Sequence, residues 1–292
     1  MPEDMHKIST CHCKTKSKKN ILHLFNSLSY CTICNSFIFD NFSSFESTIK
    51  VIKPNKYEIK EENLQNLEWL GKECKSDDFL GSNKKDYLKI RSKLIKNMKK
   101  IFSVFSLSLK TYFSSIAYLD KICFKLCVFN ENTLIQISLF CIILATKFFE
   151  KKKKALEVQT YLKENISKNY KFDEIYALQL LNYDLNVCTS YDILMDILYF
   201  GFVFENDEFK NQNNLNVLYN NIPKILYIFS ESNSYINMTF KQIAICMIGF
   251  LRDLLGLIPF SENIRKIFMI NNNNENAYIS GLNIIKKKIK IE

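Results

Sequence analysis

The chain has 292 residues, and 47% of them are hydrophobic, so it can bury the core of one large domain or of two ordinary ones. Its 6 glycines and 4 prolines are too few for a loop-rich β architecture, which favours a mostly helical protein. The formal net charge of +10 is compatible with an acidic partner, but the excess of lysine, asparagine, isoleucine and phenylalanine is also typical of an AT-rich genome.

Residues 1–45 are predicted to form a basic arm that contains two cysteine pairs. Cys11 and Cys13 make a C-x-C, and Cys31 and Cys34 make a C-x-x-C. Zinc takes four ligands, commonly from two such pairs, so these cysteines are candidate metal ligands, with a nearby histidine as an alternative donor. The other interpretation is a set of scattered, reduced thiols. Residues 1–19 are polar and basic and do not resemble a secretory signal, so we expect an intracellular protein.

Residues 46–86 are predicted to be a polar linker. Within it, ENLQNLEWLG has the apolar spacing of a short amphipathic helix that Gly71 would end. The pattern changes at Tyr87, from which apolar residues recur at three- and four-residue spacing. We therefore predict one helical unit over residues 87–187 and a second over residues 188–290.

The first unit contains five predicted helices, of which the third is almost wholly apolar. A single cation, Lys147, ends this apolar run, and no neighbour in sequence neutralises it. The run is too short to cross a membrane. The lysines at 151–154 that follow are expected to form a solvated loop. The five predicted helices are Leu94–Phe105, Tyr112–Cys123, Leu134–Phe148, Leu156–Asn165 and Phe172–Tyr183.

The second unit repeats this style with different residues. Pro223 is expected near the start of its second helix or at a kink, because proline interrupts a helix interior. Asn271–Asn274 is predicted to be a low-complexity loop. The predicted fold class is all-α, with two five-helix units in tandem. The helices of the second unit are Tyr191–Phe204, Val217–Phe229, Phe240–Leu255, Phe260–Ile270 and Tyr278–Ile289.

Four short motifs follow one another in the first unit. Arg91 precedes Asp120 of AYLDKIC by 29 residues, and ATKFFE contains Lys147. Glu174 precedes Tyr183 of YDL by nine residues, and NVCTSYDIL follows. The order of these motifs, and the two internal spacings, resemble those of the cyclins. In the second unit, TFKQIAICMIGFLRDLLG is similar to the third helix of that family's second box.

The resemblance implies a divergent cyclin, the regulatory subunit that binds and activates a cyclin-dependent serine/threonine kinase. Such a protein contributes no catalytic group, requires no cofactor and acts in the nucleus or the cytoplasm. Lys147 and Glu174 would bind the kinase at the edge of a groove between helices 3 and 5. Without the family pattern, an ordinary surface ion pair would be the simpler interpretation of these two residues. The matching positions assign the apolar contacts of the groove to Leu144, Phe148, Leu178 and Tyr183.

Arg91 and Asp120 are predicted, from the same resemblance, to be a structural ion pair between the first two helices. The chain also departs from the family. Where cyclins carry a large apolar docking patch in the first helix, this sequence has Lys93 and Asn97. We therefore do not expect that docking function here. Further departures are Gln136, Phe149 and Cys188.

Two alternatives remain open from the sequence. A zinc ribbon followed by two cyclin-like repeats is also the layout of the transcription factor IIB family, which binds DNA and RNA polymerase. The lysine and glutamate motifs favour the cyclins instead, so we regard nucleic acid as an unlikely partner and expect no membrane association. The third possibility is a cyclin-fold scaffold that binds no kinase.

Overall fold

The computed structural model describes residues 21–23, 28–31, 36–39, 84–126, 130–165, 174–200, 202–203 and 212–289. The helices of the first unit are α1 (Lys84–Phe105), α2 (Leu109–Lys125), α3 (Glu131–Phe149), α4 (Lys152–Asn165) and α5 (Glu174–Leu180). Those of the second are α6 (Ser190–Phe200), α7 (Gln212–Phe229), α8 (Asn233–Ile236), α9 (Phe240–Leu254), α10 (Glu262–Phe268) and α11 (Glu275–Ile289). The helical fold class that the sequence predicts is confirmed, and the boundary between the two units at residue 187 stays a prediction. The linker helix predicted around Gly71 lies outside the described residues.

One very hydrophobic helix lies at the centre of each unit. In the first unit, α3 packs against α1, α2, α4 and α5, and most of its residues between Leu134 and Thr146 are buried. In the second, α9 packs against α6, α7 and α11, with residues 243–252 buried. Among the described residues, α3 is the one helix long and apolar enough to cross a membrane, but most of it is buried inside the unit. Its composition is therefore explained by core packing.

Capping residues fix where these helices begin. Ser108 accepts a hydrogen bond from the backbone N–H of Thr111 at the start of α2, and Asn130 accepts one from Thr133 at the start of α3. At the start of α9, Thr239 and Gln242 form a reciprocal capping box. Each cap satisfies backbone donors that the first helical turn leaves unpaired.

One local prediction for the helical units is wrong, and of the two places predicted for Pro223, the helix start or a kink, the first is excluded. Lys152, Lys153 and Lys154 do not form a loop but open α4, whose buried face begins directly afterwards at Ala155. Pro223 lies well inside α7 rather than near its start. A proline there leaves one carbonyl of the preceding turn without its usual intrahelical donor, and α7 nevertheless continues to Phe229.

The arm contains β-structure, which the sequence analysis did not predict. Strands β1 (Ile21–His23), β2 (Leu28–Cys31) and β3 (Ser36–Phe39) form an antiparallel sheet in the order β1-β2-β3. The register pairs Ile21 with Cys31 and Cys31 with Ser36. Cys31 therefore ends the central strand, and Cys34, its partner in the C-x-x-C, lies outside the described residues.

A buried guanidinium, that of Arg91 in α1, connects both units. It forms two hydrogen bonds to the carboxylate of Asp120 in α2, with Nε–Oδ1 and Nη2–Oδ2 distances of 2.8 and 2.9 Å. Its remaining nitrogen, Nη1, donates to the main-chain oxygens of Ser230 and Ser232, at 3.0 and 3.2 Å. Arg91 is fully buried, and Tyr87 donates a further hydrogen bond to Asp120. The pair therefore joins α1 to α2 and also to the turn between α7 and α8.

A second cation of α1 contacts the same turn. The ammonium of Lys99 lies 2.6 Å from the Glu231 carboxylate and 4.1 Å from the centre of the Tyr227 ring. Burial lowers the pKa of Lys99 to about 8, although Glu231 acts in the opposite direction. Lys99 therefore carries a desolvation cost that its partners do not fully offset.

Replacing Arg91 by methionine should unfold the protein at much lower denaturant concentration. The substitution removes the cation that pairs with the buried Asp120 carboxylate, which keeps only the hydrogen bond from Tyr87, and it removes the donor to two main-chain carbonyls. Removing one partner of a buried ion pair costs about 3–5 kcal/mol. Urea unfolding followed by far-UV circular dichroism measures the loss.

Lys89→Met is the matched control for Arg91→Met. Lys89 lies on the same helix, and its ion pair with Asp86 is exposed to solvent. This variant should keep the urea midpoint of the unmodified protein. Equal midpoints for Arg91→Met and Lys89→Met would contradict the connecting role of Arg91.

The stability difference between the unmodified protein and Lys99→Met should depend on pH. The pKa of Lys99 is about 8 in the folded protein and 10.5, the usual value of lysine, in the unfolded chain, so between these two pH values the unfolded chain binds the extra proton. The unmodified protein should therefore gain stability relative to the variant as pH rises through this window, by on the order of 3 kcal/mol at most. Urea titrations of both proteins at pH 7 and pH 10 test this. A stability difference between the two proteins that is the same at pH 7 and at pH 10 would show that Lys99 is not desolvated.

Candidate functional site

Lys147, in the last turn of α3, pairs with a carboxylate 27 positions further along the chain. Lys147 Nζ lies 2.5 Å from Oε2 of Glu174, the first residue of α5. The two side chains are 38% and 26% exposed, so the pair remains open to solvent on one side. A cation in the last turn of a helix and an anion in the first turn both interact favourably with the helix dipole. Both ends of the pair are therefore placed by their helices.

An amide from α4 lies beside this pair. With its oxygen turned towards the two ammonium groups, Gln159 accepts hydrogen bonds from Lys147 at 3.2 Å and from Lys163 at 2.8 Å. We call these four residues, Lys147, Gln159, Lys163 and Glu174, the polar rim. The rim brings α3, α4 and α5 together at one place on the surface.

Exposed apolar side chains lie on the same helices as the polar rim. Phe148 at the end of α3 is 50% exposed, Ile175 in α5 is 63% exposed, and Tyr183 just after α5 is 65% exposed. Leu178 is partly buried and packs against the core. Leu144 is only 3% exposed, so its predicted place on the contact surface is wrong: it is a core residue.

Tyr183 is held outwards by a left-handed turn. Asn182 and Tyr183 both have positive φ, at 56° and 57°, and the Tyr183 N–H donates to the Leu178 carbonyl at 2.8 Å. Lys125 of α2 donates to the Leu180 carbonyl and to the Asn182 side chain. An aromatic residue with a left-handed backbone conformation is uncommon, and such backbone strain persists only where the surrounding structure fixes it. The backbone itself therefore presents this ring to solvent.

Glu150, the acidic residue that follows α3, has a structural role that the sequence analysis did not assign. Its carboxylate accepts hydrogen bonds from the Ser108 N–H at 2.7 Å and from the Thr111 hydroxyl at 2.8 Å. Burial opposes its ionisation, but these hydrogen bonds outweigh burial and hold the pKa of Glu150 below its usual value. Glu150 thus ties the end of α3 to the start of α2 and fixes where Lys147 emerges.

The arrangement is suited to binding another protein. A half-exposed ion pair sets orientation, and nearby exposed apolar side chains supply area to bury, as at the core and rim of protein interfaces. In the described ranges, no group of three or more histidine, cysteine, aspartate or glutamate side chains could hold a metal ion.

The predicted zinc ligands fall mostly outside the described residues. Cys11, Cys13 and Cys34 lie there, and Cys31 ends β2. The zinc site therefore stays a prediction. Among the described helical residues, Cys123, Cys141 and Cys246 form no disulfide, and burial raises the pKa of Cys246 to about 12, so it is neutral.

Sequence reasoning missed three residues of this surface. Gln159 and Lys163 carry a weak signal, because they lie four residues apart on the outer side of a lysine-rich helix. Ile175 gives a second weak signal. The buried residues around its helix are Ala177 and Leu181, four positions apart, and Ile175 does not share their face. Neither signal is enough to identify a binding site until it is known that α3, α4 and α5 pack together.

Metal analysis of the purified full-length protein tests the zinc prediction. We expect one zinc per chain, and a Cys31→Ser/Cys34→Ser variant should lose it, because a tetrahedral site cannot form from the remaining pair. Cys188→Ser, which changes a thiol in the helical part, should keep the metal. Zinc well below one equivalent in the unmodified protein would leave the scattered-thiol interpretation.

Comparisons with known proteins agree on the fold. Residues 61–186 match the family model of the N-terminal domain of cyclins. A search of curated proteins gave no significant match. Solved structures with significant similarity include a viral cyclin from herpesvirus saimiri, at 17% sequence identity and a TM-score of 0.59, covering 79% of this chain and 96% of that chain. At 17% identity the structural match shows the fold alone. The family match adds that residues 61–186 carry a cyclin N-terminal domain.

Proposed function

We propose that this cyclin-box protein is the regulatory subunit of a cyclin-dependent serine/threonine kinase and binds that kinase through the surface around Lys147 and Glu174. The observation that carries the proposal is the ion pair itself, 2.5 Å long, partly exposed and contributed by α3 and α5. The exposed rings of Phe148, which follows Lys147 in α3, and of Tyr183, just after α5, add apolar area close in sequence to the helices that contribute the pair. Two charges of opposite sign can orient a helix whose apolar side is buried against those rings.

Activation would be a matter of positions and not of chemistry. A kinase is active when its C-helix glutamate pairs with the lysine of its third strand. A protein that binds only the inward position of the C-helix shifts the equilibrium towards it by its differential affinity for the two positions. This chain would supply binding energy and no catalytic group, which is the regulatory role of its family.

Substrate docking through α1 is not part of the proposal. Lys93, at a position where the cyclin resemblance calls for a large apolar side chain, is exposed and pairs with Glu131 of α3. An ion pair between these two helices replaces apolar surface that a docking peptide would bury. Substrate choice would therefore come from the kinase or from another surface.

The transcription factor IIB alternative receives less support than the cyclin proposal. The family model that matches this chain is that of cyclins, and Lys147 and Glu174 pair as the cyclin resemblance implies. The kinase-free scaffold remains the second candidate, because an ion pair and exposed apolar side chains serve any protein partner.

Affinity purification of the tagged protein from its native cell, followed by mass spectrometry, tests the proposed class of partner. We expect a cyclin-dependent kinase and associated kinase activity in the nuclear or cytoplasmic fraction. Recovery of general transcription proteins without a kinase would support the transcription-factor alternative. Steeply salt-dependent DNA binding would support it independently.

The double variant Lys147→Ala/Glu174→Ala should abolish kinase recovery and leave the fold intact. The ion pair is partly exposed, so its loss should change the free energy of unfolding by less than about 1 kcal/mol. Co-purified kinase activity and the thermal midpoint are the two measurements.

Arg265→Ala/Glu275→Ala is the matched control, because it removes a half-exposed ion pair of the second unit. This control should keep full kinase recovery. If the Lys147/Glu174 variant also keeps full kinase activity, the proposed interface is in the wrong place.

A further inference from the structure

We propose that α4 extends the kinase-binding surface, with Leu156 as an apolar contact and Lys163 as the anchor for an acidic side chain of the partner. The inference rests on the proposed function and names the chemistry of the partner segment. It makes Lys163 a specificity-determining residue that separates partners with a carboxylate at this place from those without one.

The first step is the geometry of α4. Leu156, Gln159 and Lys163 follow one another at spacings of three and four residues, so they share one side of the helix. Gln159 places this side against the polar rim, since its amide contacts Lys147 and Lys163. Leu156 is 53% exposed, so it offers apolar area that a partner could bury. The side of α4 next to the ion pair is therefore partly apolar and open.

The second step is the charge of the polar rim. The polar rim contains two ammonium groups, those of Lys147 and Lys163, which both approach the Gln159 amide oxygen. It contains one carboxylate, that of Glu174. Glu174 is paired with Lys147 at 2.5 Å. Within the described part of the chain, no carboxylate pairs with Lys163. The rim thus keeps one uncompensated positive charge, and Gln159 fixes its position.

The third step is the occupant that this charge fits. An acidic side chain beside Lys163 would complete the neutralisation of the rim as the interface loses water, whereas a basic one would add a third cation. Complementary charge at an interface edge selects partners and speeds association. A kinase segment with an apolar residue over Leu156 and a glutamate or aspartate over Lys163 meets both requirements.

Charge reversal at Lys163 tests this inference against the kinase recovered with the unmodified protein. Lys163→Glu should weaken binding about tenfold or more at low salt, with less loss at high salt, because the lost attraction is screened. Lys287→Glu is the control: it makes the same charge change at an exposed lysine of α11 in the second unit and should bind normally. Leu156→Ser should weaken binding by a factor that does not change with salt. Binding is measured by surface plasmon resonance at two salt concentrations.

The outcomes separate this inference from the proposed function. Normal binding by Lys163→Glu, together with loss of binding by Lys147→Ala/Glu174→Ala, would overturn the role of α4 and leave the proposed function standing. Normal binding by both variants would overturn the proposed function as well. A charge-reversed acidic residue on the kinase that restores binding to Lys163→Glu would identify the partner side chain.

Discussion

The buried guanidinium of Arg91 is the constraint on which the rest of the structure depends. A fully buried charge is tolerated only where every donor finds an acceptor, and here the acceptors come from α2 and from the turn between α7 and α8. Those acceptors are contributed by both units, so the guanidinium is satisfied only when the units are docked. The Tyr112 hydroxyl, bonded to Ser230 at 2.8 Å, reinforces the same contact. Docking in turn fixes α1 and α2. The helix that carries Lys147, α3, packs against both of them.

The helices and the long-range pairs were predictable from the sequence for different reasons. Helices followed from apolar spacing, since their cores are local in sequence. The pairing of Lys147 with Glu174 required motif spacing, because no local rule links residues 27 positions apart.

The lysines that open α4 were misassigned because their charge outweighed the helical period that begins at Ala155. Leu144 was misassigned because a motif places a residue on a helix without showing which side is covered. The strands of the arm left no signal, because they are only three or four residues long.

The candidate surface combines parts that are fixed before any partner arrives. Glu150 anchors the end of α3, Lys125 anchors the end of α5, and the left-handed turn sets Tyr183. A surface whose side chains are already ordered loses less conformational entropy when a partner binds. What sequence reasoning could not supply was the part contributed by α4. Gln159 and Lys163 become meaningful only once three helices are seen to meet.

The hydrogen bonds of Arg91 to the second unit go to main-chain oxygens, those of Ser230 and Ser232. Every amino acid supplies the same carbonyl, so substitutions in this turn can accumulate without removing the acceptors, provided that the backbone keeps its path. The dependence is one-sided, since the arginine has no such freedom. A substitution at Arg91 therefore disturbs the contact between the two units at once, whereas one at Ser232 leaves its carbonyl acceptor in place.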